Sequence, residues 1–140
     1  MVLSNFLYRL INLARFQFKN QEELDRIKTN QGLIYFNSRN IDPELPFNSN
    51  GFSVFSQFDE DGLINALIKG FDNISKNFIE FGVDDFKEAN CRFLTESLSW
   101  KGAIFEGNKQ AFLRMSVKDY YWKKNLSVFN KFLDVNNIQN

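Results

Sequence analysis

The chain has no histidine, a single cysteine, only two prolines and no surplus of either charge, with 17 basic and 17 acidic residues in 140. Each shortage removes a class of chemistry. Without histidine there is no Ser-His or Cys-His nucleophile system, no imidazole metal site, and not the commonest general base. One cysteine, Cys91, makes neither an intrachain disulfide nor a cysteine-cluster zinc site. It reads as a small apolar residue on a helix, and this cysteine usage fits a cytosolic protein. A net charge of zero gives no bulk attraction for a polyanion, so nucleic acid is not an expected partner. No stretch approaches the roughly 18 apolar residues that a membrane span requires. The glycine-rich G-x-G-x-x-G fingerprint of dinucleotide sites is absent as well.

What remains is a strongly apolar, phenylalanine-rich chain: 44% hydrophobic and 16% aromatic, enough for a globular core. It opens with "MVLSNFLYRLINLARFQFKN". Arg9 and Arg15 interrupt the apolar residues and no small-residue cleavage site follows, so this is not a signal peptide. Phe6, Leu7, Leu10, Leu13 and Ala14 recur at helical spacing beside Arg9, Arg15 and Lys19. Such a helix over residues 3–19 packs on its own domain or a partner, or lies on an acidic membrane surface with the protein cytoplasmic and peripheral. The helix is expected to run to about residue 28. A connector holding Pro43 and Pro46 follows, with a short extended piece at "LIYF", so residues 1–51 form an N-terminal helix and connector.

From residue 52 the pattern alternates. Ser56 or Asp59 can cap a helix whose first turn carries Glu60 and Asp61, whose stripe is Leu63, Ile64, Leu67 and Ile68, and which Gly70 ends. A strand at 78–83, a helix at 88–99 terminated by Gly102, a strand at 103–106, the helix "KQAFLRM" and a strand within "DYYWKKNLSV" follow. Short apolar strands alternating with helices predict an α/β fold with adjacent, parallel strands buried on both faces. Phe78, Ile79, Phe81, Phe93, Leu94, Leu98, Ile104 and Phe105 are the expected core.

In an open parallel sheet, ligands sit beyond the carboxyl ends of the strands. Those ends are Gly82-Val83-Asp84-Asp85 and Glu106-Gly107. Gly82 allows a ligand close to the backbone, and Glu106 stands where an acid accepts hydrogen bonds from ribose hydroxyls, which together suggest an adenosine-type ligand. Asp84 and Asp85 repel a pyrophosphate, whereas carboxylates at Glu80, Asp84 or Asp85 attract a sulfonium and an ammonium. The two aspartates can equally cap the following helix, and the two roles are compatible.

The blocks "FSQFDEDGLI", "FIEFGVDDFKEANCRFL", "WKGAIFEGNK" and "YYWKKNLSVF", in that order, resemble bacterial methyltransferase-like proteins related to the FkbM type. The resemblance covers residues 52–140. It implies the front half of a Rossmann-like domain that binds S-adenosylmethionine and transfers methyl groups to a saccharide acceptor. By position it places the S-Q…acid-D-G pattern on Ser56, Gln57, Glu60, Asp61 and Gly62. Cofactor binding falls on Glu80, Gly82, Asp84, Asp85, Asn90 and Glu106, and the E-x-N-x-R segment on Glu88, Asn90 and Arg92. Many relatives have glycine at the positions of Asp59, Asp84 and Phe86. The resemblance also implies a further acidic strand end after "FLDVNNIQN", so residues 1–140 alone are expected to be inactive. A non-catalytic module binding a partner subunit through an open sheet edge is the alternative.

Overall fold

A computed structural model describes residues 2–38, 46–116 and 126–136, with side chains from Asn5 onward. The architecture is mixed α/β. A long helix α1 (Val2–Ser38) precedes a short 3-10 turn (Phe47–Asn50) and α2 (Glu60–Lys69). Then come β1 (Asn77–Phe81), α3 (Arg92–Leu98), β2 (Lys101–Phe105), α4 (Lys109–Ser116) and β3 (Leu126–Phe129). The three strands form one sheet in the order β1-β2-β3, parallel throughout. Phe81, Phe105 and Phe129 stand in register across it.

Strand alternation sends Phe78 and Glu80 to one face and Ile79 and Phe81 to the other. On the first face Ile104, Leu126, Phe78 and Val128 join Ile64 and Ile68 of α2, Leu94 and Leu98 of α3 and Met115 of α4 in a single apolar cluster. All three helices therefore cover the same face. The opposite face is not buried: Ile79 is 65% exposed, Phe81 58% and Phe129 45%. The expectation of strands buried on both faces, with Ile79 and Phe81 in the core, is corrected here. Composition alone cannot say whether a second layer lies over an apolar strand.

A second cluster, Phe52, Val54, Phe55 and Phe93, joins the C-terminal part of α1 to α3 through Phe36. It explains why "LIYF", residues 33–36, is helical rather than extended. Tyr35 stacks on Phe52 at 5.5 Å and Phe36 meets Phe93 at 6.4 Å. Gly32 lies so close to Phe93 and Val54 that a Cβ would stand 2.5 Å from the Phe93 ring. This packing outweighs the strand preference of Ile, Tyr and Phe, so α1 continues to Ser38 instead of ending near residue 28. Leu67, placed in the stripe of α2, is instead exposed. Of the connector, Pro43 lies outside the described residues, as does the 119–125 portion of the last expected strand.

Two boundaries shift for local reasons. α3 starts at Arg92, not Glu88, because the preceding residues form the β1–α3 loop. It ends at Leu98, where Ser99 is left-handed (φ 57°) and Trp100 N–H donates to Leu94 O at 3.1 Å. Gly102 is thus not the helix terminator. It lies inside β2 beneath Phe78, whose ring would sit 2.2 Å from a Cβ there. Gly70 does follow the end of α2.

Candidate functional site

The loop after β1 is built on alternating left-handed residues: Gly82 (φ 69°), Asp84 (φ 48°) and Phe86 (φ 62°). Between and after them Val83 and Phe86 turn inward and are buried, pinning the loop to the core while Asp84 stays exposed. Gly82 N–H donates to Phe105 O at 2.9 Å, extending the β1–β2 pairing by one step. A Cβ on Gly82 would meet nothing within 4 Å, so open space lies beside its backbone. Asp84 and Phe86 both carry the backbone geometry that favours glycine.

The carboxylates around this loop divide into those that hold it and those that face outward. Glu106 is buried (6% exposed); its Oε2 accepts from Asp84 N–H at 2.8 Å and its Oε1 from Asn108 N–H at 2.7 Å. It therefore ties the β1–α3 loop to the turn after β2. Asn108 Oδ1 in turn caps α4 by accepting from Gln110 and Ala111 N–H. Glu80 accepts from Asn90 N–H at 3.0 Å and from Cys91 N–H at 2.8 Å, so the acid at the start of α3 comes from the preceding strand. Neither Asp84 nor Asp85 caps α3. Asp85 accepts from Lys87 N–H and pairs with its ammonium at 2.7 Å. Asp84 pairs with Arg114 of α4 at 2.8 Å across open surface. Asn90 contributes its backbone while its side chain is exposed. Burial pushes the Cys91 thiol pKa up, and the nearby Glu80 adds to the effect, so the thiol stays protonated and is no nucleophile.

The S-Q…acid-D-G segment has a structural logic. Asp61, 1% exposed, accepts three backbone N–H groups on Oδ2: Val54 at 2.7 Å, Phe55 at 2.7 Å and Ser56 at 2.9 Å. Ser56 Oγ returns the favour, accepting from Asp61 N–H at 3.1 Å, so Ser56 does cap the first turn of α2; Asp59, at the cap position, makes no side-chain cap bond. Gly62 is required because the backbone of residues 50–52 presses on it; a Cβ would lie 2.2 Å from Phe52 N. Gln57 is exposed.

Arg92 is the residue whose helix patterning misleads. Helical periodicity alone gives Arg92 a solvated position, yet it is 3% exposed and stacks over the Phe55 ring at 4.0 Å. It donates to Lys87 O at 2.9 Å, pairs with Asp25 of α1 and lies 3.6 Å from Glu96. The signal available in the sequence was its place in the E-x-N-x-R segment, not its periodicity.

The fold and the loop define a class: an α/β protein in which parallel strand ends, a left-handed glycine and gathered carboxylates meet on one side. Searches of family models, curated proteins and solved structures each returned no match.

Proposed function

We propose that the chain is the cofactor-binding front half of an S-adenosylmethionine-dependent methyltransferase-like protein, with a saccharide hydroxyl as acceptor. The observation that carries this reading is the open space at Gly82, where a side chain would stand, at the ends of adjacent parallel strands and beside the loop that Glu106 holds through Asp84 N–H. The residues fit the group. Gly82 admits a ligand to the backbone. Glu106 spends one acceptor site of each oxygen on the loops, and an ionised carboxylate has about four, so it retains capacity for hydroxyl donors. Asp84 and Asp85 supply negative charge toward a cation, partly offset by Arg114 and Lys87. Glu80 and Asn90 act one step back, fixing the loop that carries those groups. When bound, the cofactor supplies an electrophilic methyl group; this chain's part is to position it and to hold water away from one side.

A second reading rests on a different observation. The exposed aromatic face and the edge of β1, unpaired among the described residues, suit a non-catalytic module that binds a partner subunit.

Calorimetry separates the two. S-adenosylmethionine is expected to bind more tightly than S-adenosylhomocysteine, which lacks the sulfonium charge, and a pyrophosphate-bearing dinucleotide not at all. Asp84→Asn keeps a residue tolerant of the left-handed backbone and removes the charge. It should erase a preference of roughly fivefold, about 1 kcal/mol for an exposed charge pair. Absence of binding by both adenosyl ligands would leave the partner-binding module as the better reading.

A further inference from the structure

The described part of α1 that precedes its packing against α3 is exposed along its length. Residues 5–24 are all exposed, and the first half-buried position is Asp25, the partner of Arg92. This stretch is not a polar arm. Phe6, Leu7, Leu10, Ile11, Leu13 and Phe18 are all large, apolar and exposed. At the helical repeat these six and Ala14 fall within an arc of roughly 160° that holds one polar side chain, Gln17, while Tyr8 and Phe16, also exposed, project on the other side of the helix. Arg9 and Arg15 flank that arc on either side, and Lys19 lies opposite. Residues 5–19 contain no acidic side chain; the first is Glu22. Since the whole chain is neutral, the remainder carries the compensating acidic excess.

We propose that residues 5–19 of α1 form a docking surface for an anionic lipid bilayer, lying in the headgroup plane with the phenylalanine and leucine arc turned inward. A wide apolar arc bordered by arginine and opposed by lysine matches the interfacial pattern, in which apolar burial and attraction to acidic lipid add. Charge decides against a second copy of the same helix as the occupant. Two such helices pairing through their apolar arcs bring arginines to both borders, with no acid in the segment to neutralise them. The acidic excess of the remaining chain is repelled by the same surface, which confines contact to the helix. No helix among the described residues is long and apolar enough to cross a membrane, so the contact is peripheral.

The test uses the full chain with vesicles of phosphatidylcholine alone or mixed with phosphatidylglycerol, read by co-sedimentation. Salt-sensitive partitioning to the acidic vesicles is expected. It should fall roughly a hundredfold in the Arg9→Gln, Arg15→Gln, Lys19→Gln variant. It should also be lost in Leu10→Asp, a change at an exposed position that leaves the core intact. No partitioning, or equal partitioning to neutral vesicles by all variants, overturns the proposal. So does a lipid-free dimer, seen by sedimentation, that Leu10→Asp dissociates and that persists when acidic vesicles are added.

Discussion

On one face of the sheet Phe78, Ile104, Leu126 and Val128 lie beneath three helices; on the other Ile79, Phe81, Phe105 and Phe129 face outward. The two sets are equally apolar and come from the same three strands. What separates them is where the helices pack, since α2, α3 and α4 all share one cluster. The open face is nonetheless organised. Phe81 and Phe105 pack with centroids 5.5 Å apart, and Phe105 stacks on Phe129 at 4.9 Å, so a ladder of rings crosses the sheet. Its rings find each other in place of a covering layer.

The sharpest way to break this comparison is to truncate one residue on each face. Ile104, 1% exposed, lies at the centre of the covered side, and Ile104→Ala should cost about 2–5 kcal/mol through lost burial and a cavity. Phe129→Ala removes a larger side chain from the open side, yet should cost less than Ile104→Ala, about 1 kcal/mol, because Phe129 is already 45% exposed. Denaturant midpoints for the two variants measure both. Equal losses would mean that the second face is covered in solution.

A related experiment sharpens the difference in behaviour instead of stability. Contiguous exposed aromatics and a strand edge unpaired among the described residues favour association. Phe81→Thr with Phe129→Thr keeps strand-compatible residues and should lower self-association in sedimentation velocity, while shifting stability by about 1 kcal/mol or less. Unchanged association would locate the adhesive surface elsewhere, with the exposed α1 segment the next place to look.

The alternation of elements was legible in the sequence because apolar runs, glycines and helical spacing agree from Asp59 to Phe105. The adjacency and parallel pairing of β1 and β2 follow from that order. The helical state of residues 33–36 was not legible, because it depends on Phe52 and Phe93, which are distant in the chain. The grouping of the candidate site residues was legible in outline only. Gly82, Asp84 and Glu106 do converge, but residue type could not reveal that Glu106 and Glu80 already hold backbone N–H groups. Nor could local periodicity reveal the burial of Arg92, whose partner Asp25 is 67 positions away.

The smallest expected effect tests the turn on which the site depends. Asp84 holds a left-handed backbone (φ 48°), a conformation that costs an L-residue about 1 kcal/mol and an aspartate somewhat less. Its ion pair with Arg114 is exposed on both partners and returns little. Replacing it by glycine removes the strain but frees the unfolded chain, so Asp84→Gly should change stability by no more than about 0.5 kcal/mol in either direction. Asp84→Ala loses the same ion pair and keeps the full steric penalty, so it should be less stable than Asp84→Gly by about 1 kcal/mol. Thermal unfolding of the two variants gives the difference directly. Alanine as stable as glycine would mean that residue 84 is not left-handed in solution. The open position at Gly82 would then lose its support, since Glu106 grips this loop through the Asp84 N–H.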